Sequence, residues 1–172
     1  MEGHGLLQRP YPEWKATFIK RLNPVISKVI SKKTKKEECM LRTGTFVSLE
    51  NIRKEYYLEQ KTISRNILDK LDTLGLCIWY LDDGYLCDQG RGIRLSTCCF
   101  SIPEHEIMIQ YFREKWKLTC KIEWTAFYEA TQTRYPYLKF LTSESYKMID
   151  IIKDHVIPSM DYKINPLLKK GD

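Results

Sequence analysis

Residues 76–84 read Leu-Cys-Ile-Trp-Tyr-Leu-Asp-Asp-Gly, an apolar stretch that ends in two adjacent carboxylates and a glycine. The spacing predicts a helix, with Asp72 or Thr73 capping its start and Gly84 supplying the left-handed residue that commonly follows a helix end. Asp82 and Asp83 then fall in the last turn, where the negative end of the helix dipole opposes a carboxylate by roughly 0.3–1 kcal/mol. A cation should offset that cost, either a divalent metal with oxygen ligands or a nearby lysine. Taken alone, the pattern also suits an ordinary buried helix whose acidic end is solvated.

The whole segment is more specific than its last three residues. Leu76, Cys77, Trp79, Tyr80, Asp82, Asp83 and Gly84 sit at matching positions of the motif Leu-Ala-x-Trp-Tyr-Met-Asp-Asp-Gly, so the chain resembles the LAGLIDADG homing endonucleases and their splicing relatives. The resemblance implies two such helices packed side by side at the centre of the molecule, with small residues such as Cys77 at the seam. It also implies that each helix sends its final aspartate, here Asp83, to a metal at the scissile phosphates, with Asp82 structural or solvated.

The rest of the chain reads as one compact domain without that comparison. Its 172 residues are 43% hydrophobic, enough for a sizeable core, and no Ser/Gly/Pro-rich linker divides them. No run of about 18 apolar residues exists to span a membrane, and the N-terminus lacks the regions of a secretory signal. The six cysteines form no Cys-x-x-Cys pair and only three histidines are present, which argues against structural zinc and for reduced thiols in an intracellular compartment. Part of the net charge of +6 is local. Lys32, Lys33, Lys35 and Lys36 lie between apolar flanks, so residues 25–41 read as a hairpin with a basic tip. The tip is either a solvated turn or a phosphate contact whose affinity falls with salt.

The second half carries clearer punctuation. Residues 93–98 alternate, with Ile93, Leu95 and Thr97 on one face and Arg94, Ser96 and Cys98 on the other, as in a hairpin packed on helices. Ser101 and Glu104 form a capping box before a helix to about residue 117, with Ile109, Phe112 and Trp116 as its apolar stripe. Residues 119–128 and 137–141 read as a second hairpin that turns near 131–134. Thr142 or Ser143 then caps a helix to about residue 155, with Ile149 and Ile152 inside and Pro158 stopping it. The order from residue 73 is αββαββα, the order of one LAGLIDADG repeat, and the fold class is α+β with an antiparallel saddle sheet.

An internal repeat at an offset of 102 residues superposes Trp14-Lys15 on Trp116-Lys117 and Lys61 on Lys163. Extended backwards, it places the partner of the acidic helix before residue 1. The expectation is therefore a partial first repeat in residues 1–72, without its motif helix and first hairpin, and a complete second repeat in 73–172. By the resemblance, Lys163 and Lys61 are the basic residues near the metal, suited to polarise the attacking water or stabilise a pentavalent phosphate.

Three functions follow from these features. The leading one is a nucleic-acid-binding protein that does not cleave alone and acts in an RNA-protein particle, such as an organellar ribosome, or in intron splicing. A second is a site-specific double-strand DNA endonuclease, Mg-dependent and completed by a dimer partner or second chain. The third is a protein-interaction domain using the exposed face of the motif helix. Asp83, Lys163 and Lys61 are the catalytic candidates, and Asp83 is the metal ligand. Arg94, Lys121 and Lys139 join the lysine tip as contacts to RNA or duplex DNA. Ile78 and Trp79 are the contacts for whatever covers the motif helix, a second copy or another protein. The resemblance places the protein in a mitochondrion or plastid.

Overall fold

The lysine-rich segment folds as its apolar flanks predict. A computed structural model of the chain describes residues 2–5, 9–32, 35–57, 60–87 and 92–165, with backbone alone for 2–5. The described chain forms two compact units, residues 1–55 with 157–160 and residues 56–156 with 161–172.

The first unit holds β1 (Glu2–Gly5), α1 (Pro10–Phe18), β2 (Val25–Ile30), β3 (Glu37–Arg42) and most of α2 (Val47–Tyr56). β2 and β3 are the expected hairpin, with Ile26 opposite Leu41 and Lys28 opposite Cys39. The tip closes through Ser31 N–H to Lys36 O and Lys35 N–H to Ser31 O, both 2.9 Å, with Lys35 at φ 57°. Lys32, Lys35 and Lys36 are exposed there, while Lys33 lies outside the described residues. β1 adds a third strand, in the order β1-β3-β2. It pairs through its backbone, and Glu-Gly-His-Gly carries neither alternation nor β-branched residues to announce a strand.

The second unit contains α3 (Arg65–Asp69), α4 (Thr73–Asp83), β4 (Gly84–Cys87), β5 (Gly92–Leu95), α5 (Ile102–Trp116), β6 (Cys120–Trp124), β7 (Pro136–Leu141) and α6 (Thr142–Ile152). From α4 onward this is the expected αββαββα order. All four strands are antiparallel, in the order β4-β5-β7-β6. Ile93, Leu95, Leu138 and Phe140 are fully buried, which fixes the inward face and so the register. Helices cover that face: Leu76, Tyr80 and Leu81 from α4, Met108 and Phe112 from α5, and Met148, Ile149 and Ile152 from α6 are all buried. The Phe112 ring meets the Phe140 ring edge-on at 4.9 Å between centroids. Buried Ser145 on α6 accepts from Ile93 N–H at 2.8 Å and donates to Leu141 O at 2.8 Å, tying the helix to the sheet through groups that would otherwise be unsatisfied.

Three local expectations are corrected. Gly84 is extended, φ −92° and ψ 151°, rather than left-handed; glycine is needed there because a Cβ would lie 2.5 Å from the carbonyl oxygen of Tyr80. The buried stripe of α5 runs through His105, Met108, Tyr111 and Phe112, leaving Ile109 and Trp116 half-buried, because the helix is rotated to place His105 between Thr97 and Ser101. α6 begins without a side-chain cap, its N-cap being Leu141, and regular α-helix ends at Ile152.

Candidate nucleic-acid interface and acidic centre

Asp72 caps α4 as expected, its carboxylate accepting from Gly75 N–H at 2.8 Å. The far end of α4 is more densely wired. Gly84 N–H donates to Tyr80 O, Ser96 N–H donates to Asp83 O at 2.9 Å, and the Lys163 ammonium donates to Leu81 O at 2.5 Å and Gly84 O at 2.7 Å. Lys163 is itself held by its backbone, because its carbonyl accepts from the Tyr80 hydroxyl at 2.7 Å. The cation that the acidic helix end requires is thus supplied, at least in part, by a lysine from the same chain. Burial pushes the Lys163 ammonium below its ordinary value, and the Asp82 and Asp83 charges oppose that shift.

Asp83 is exposed and Asp82 half-buried. Asp83 also lines a cavity of about 170 Å³ together with Trp79, Phe100, Lys61, Thr62 and Ile63 among others. Lys61 is exposed, with its ammonium 5.4 Å from the centroid of the Phe100 ring. Its turn is fixed by a residue that sequence reasoning used only as a helix cap. Glu104 accepts from Ser101 N–H and Oγ at 2.7 Å with one carboxylate oxygen, and from Thr62 Oγ1 and Ile63 N–H at 2.9 Å with the other. The structure therefore brings Asp83, Lys163 and Lys61 to one end of α4. Ile78 and Trp79 are half-buried on the same helix, and the Trp79 ring stacks on Phe112 at 5.7 Å.

A hard divalent cation takes oxygen ligands, and Mg²⁺ in particular is commonly held by one or two carboxylates plus substrate phosphates. Among the described residues no cluster of three His, Cys, Asp or Glu side chains could hold a metal. The exposed Asp83 carboxylate, next to Asp82, fits the sparser Mg²⁺ pattern, with phosphate completing the site.

The outer face of the sheet gathers the other predicted contacts. Tyr85 lies opposite Arg94, Arg94 opposite Lys139, and Lys139 opposite Lys121, so the four side chains form one line across β4, β5, β7 and β6. The Arg94 guanidinium carbon is 3.6 Å from the Tyr137 ring centroid and 5.3 Å from that of Tyr85. Lys121 is paired to Glu123 at 2.8 Å. Sequence reasoning named the three cations and missed the two tyrosines, although Tyr137 shares the parity of Lys139 on β7.

The chain matches the LAGLIDADG DNA endonuclease family over residues 2–148. It is a member of that family. It is 33% identical over 106 residues to the probable intron-encoded DNA endonuclease 3 of Mycosarcoma maydis, covering 61% of this chain and 73% of that protein. It is 26% identical over 154 residues to the cytochrome b mRNA maturase bI2 of Saccharomyces cerevisiae, covering 84% of this chain and 35% of the maturase. The chain thus spans about a third of that maturase. Its fold matches the homing endonuclease I-WcaI bound to its DNA recognition sequence, with a TM-score of 0.74 at 18% identity, over 95% of this chain and 73% of the other. Among the described residues no helix is long and apolar enough to cross a membrane.

Proposed function

We propose that this LAGLIDADG protein binds duplex DNA on the outer face of the β4-β5-β7-β6 sheet and presents the end of α4 to a phosphate. The observation that carries the reading is the in-register line of Arg94, Lys139 and Lys121 across three strands. Side chains from neighbouring strands stand about 5 Å apart, so the line forms a continuous band of positive charge of the kind a phosphate backbone needs. The lysine tip of the first unit adds a separate basic contact. In this reading residues 73–172 form one full repeat, which their element order supports, and residues 1–72 belong to another.

At the end of α4, Asp83 holds a divalent cation, Mg²⁺ by the oxygen donor it offers. When bound, that cation supplies Lewis-acid stabilisation to a phosphoryl oxygen. Lys163 holds the Leu81 and Gly84 carbonyls at the helix end, and Lys61 lines the same cavity as Asp83 with a charge suited to a phosphate. Among the described residues α4 is the one helix ending in Asp-Asp-Gly. Cutting both strands takes a second such carboxylate from outside the described residues, and Ile78 and Trp79 are the residues we assign to the contact with whatever supplies it. Alone the chain binds without cutting both strands.

A second reading, intron RNA binding in splicing, is supported by the maturase relative. It would put the protein in a mitochondrion or plastid. Titrating the chain with duplex DNA and with an RNA stem of equal length at several salt concentrations separates the two. The DNA reading expects the tighter complex with DNA, with log affinity falling linearly in log salt. Equal or tighter binding to RNA would transfer the function to RNA, and no binding to either at low salt would overturn both.

A further inference from the structure

We propose that Glu104 is a positioning residue that holds Lys61 at the cavity it shares with Asp83; this rests on the reading above in which the end of α4 is presented to a phosphate. A capping box needs the carboxylate only for the N-cap residue, which one oxygen can serve. Glu104 departs from that pattern. Its Oε2 takes both Ser101 donors at 2.7 Å, while its Oε1 takes Thr62 Oγ1 and Ile63 N–H at 2.9 Å, from the two residues that follow Lys61. The other side of the turn is fixed as well, by Thr62 N–H donating to Tyr56 O at 2.8 Å and by an antiparallel bridge between Tyr57 and Lys61.

The next residue ties the same turn of α5 to the acidic helix end. A carbonyl only accepts, so His105 Nδ1–H donates to Ser101 O at 2.8 Å, and in the neutral ring Nε2 accepts from Thr97 Oγ1 at 2.9 Å. His105 and Thr97 are both fully buried. Thr97 follows Ser96, whose N–H donates to Asp83 O, and Thr97 O accepts from Phe100 N–H. The Phe100 ring then lies 5.4 Å from the Lys61 ammonium. Consecutive residues of one helical turn thus grip two chain segments, Glu104 the one that carries Lys61 and His105 the one bonded to Asp83. An exposed lysine on a free loop loses rotamer and backbone freedom when it meets a phosphate, about 2 kcal/mol for the side chain alone. A backbone already fixed on both sides of Lys61 removes the second part of that cost before the phosphate arrives. The cap of α5 needs only the Ser101 bonds. What the Thr62 bond fixes is the residue beside Lys61.

The test measures by gel shift the affinity of the full chain for one duplex of fixed sequence, in excess Mg²⁺ and in chelator. The ratio of the two, divided by the same ratio for Asp83→Asn, is the gain that the acidic centre adds; losses of folding or of sheet contact affect both conditions and cancel. Lys61→Ala should lower the gain roughly 2- to 5-fold, the range of an exposed charge pair. Glu104→Gln, whose amide nitrogen cannot accept, should lower it in the same direction. Thr62→Val, which cuts only the Lys61 side, should do likewise and carries the test if Glu104→Gln does not fold. Neither should lower the gain further in a Lys61→Ala background, because the effect passes through the lysine. Ser101→Ala weakens the cap and spares the bonds to Thr62 and Ile63, so it should keep the gain. Urea unfolding of each variant confirms that it is folded. A full gain in Glu104→Gln and Thr62→Val, a further loss in the double variants, or equal losses for Ser101→Ala and Thr62→Val would overturn the proposal while leaving the acidic centre intact. A gain that Lys61→Ala leaves unchanged would remove Lys61 from the phosphate and the proposal with it. A wild-type ratio no larger than that of Asp83→Asn would overturn the reading of α4 itself.

Discussion

Replacing Gly84 by alanine tests whether the end of α4 is built as tightly as its geometry implies. The backbone at Gly84 has φ −92°, which any residue adopts, so the cost arises from contact and not from a forbidden conformation. An added Cβ would lie 2.5 Å from Tyr80 O and 2.6 Å from Tyr80 Cε2, and closer still to Cδ2. A flexible side chain could yield, but a helix carbonyl and a ring buried in the core cannot do so cheaply. Overpacking of this kind costs about 1–3 kcal/mol. Shifting the Tyr80 ring also endangers its hydrogen bond to Lys163 O, worth about 0.5–1.5 kcal/mol net. The expected loss is about 2–4 kcal/mol, a large part of the stability of an ordinary domain. Urea unfolding followed by tryptophan fluorescence measures it. Gly75→Ala is the internal control. Its Cβ would meet side chains alone, the tip of Leu71 at 3.0 Å, Asp72 Oδ1 at 3.4 Å and Leu71 Cβ at 3.7 Å, and it gains helix propensity, so it should stay within about 1 kcal/mol of wild type. A Gly84→Ala loss below about 1 kcal/mol, or equal losses for the two glycines, would refute the argument.

Other outcomes follow from the same region. Lys163→Met leaves the Leu81 and Gly84 carbonyls without their donor and should lower stability by about 1–3 kcal/mol, read from the same urea curves; no loss would return Lys163 to the solvated surface. Burial by itself would push the Glu104 carboxyl up, yet its bonds to Ser101, Ile63 and Thr62 hold it below its ordinary value of 4.5. Its contribution to stability is therefore complete above that value and lost as pH falls through the lower folded one, so Glu104→Gln should flatten the acid limb of a stability-against-pH curve. Thiol labelling should reach the exposed Cys99 first and Cys77 and Cys120 last, because burial pushes the latter two thiols up to about 12; early labelling of Cys77 would mean that α4 opens. Chelating divalent cations should weaken duplex binding without abolishing it while stopping any strand nicking, as measured by gel shift and plasmid relaxation. Loss of binding would move the affinity from the sheet to the acidic helix end.

What could be read from residues alone follows a physical division. Period-two alternation exposed β5 and β6, and the 76–84 segment announced α4, because in both cases the signal lies in consecutive side chains, whereas the pairing of β5 with β7 needed the structure. β1 was illegible for the opposite reason, since its strand character comes from backbone pairing with β3. The site divides likewise. Asp83, Lys61 and Lys163 were singled out through the resemblance to the LAGLIDADG family, and Arg94, Lys139 and Lys121 by their place on the polar face of the strands. The second role of Glu104 did not stand out, because half its bonds go to Thr62 and Ile63, some forty residues earlier in the chain. The Arg94 platform also needed the structure, for Tyr85, Arg94 and Tyr137 come from three strands and meet only once the register is known.

The two charged regions of the second unit are opposed in sign, and this separates affinity from chemistry. On the sheet, Arg94, Lys139 and Lys121 stand in line with Glu123 beside them, so a phosphate backbone gains energy there without help. At the end of α4 two carboxylates add to the negative pole of the helix, and the Lys163 ammonium, bound to Leu81 O and Gly84 O, offsets only part of that charge. A phosphate approaching Asp83 is repelled unless a further cation intervenes, and among the described residues Lys61 is the side-chain cation lining the same cavity. The helix end therefore weakens binding when no divalent cation is present and favours it when one is. Binding and cleavage are expected to depend on different residues, and the relatives that this chain resembles are named for both activities, one as a probable DNA endonuclease and one as an mRNA maturase.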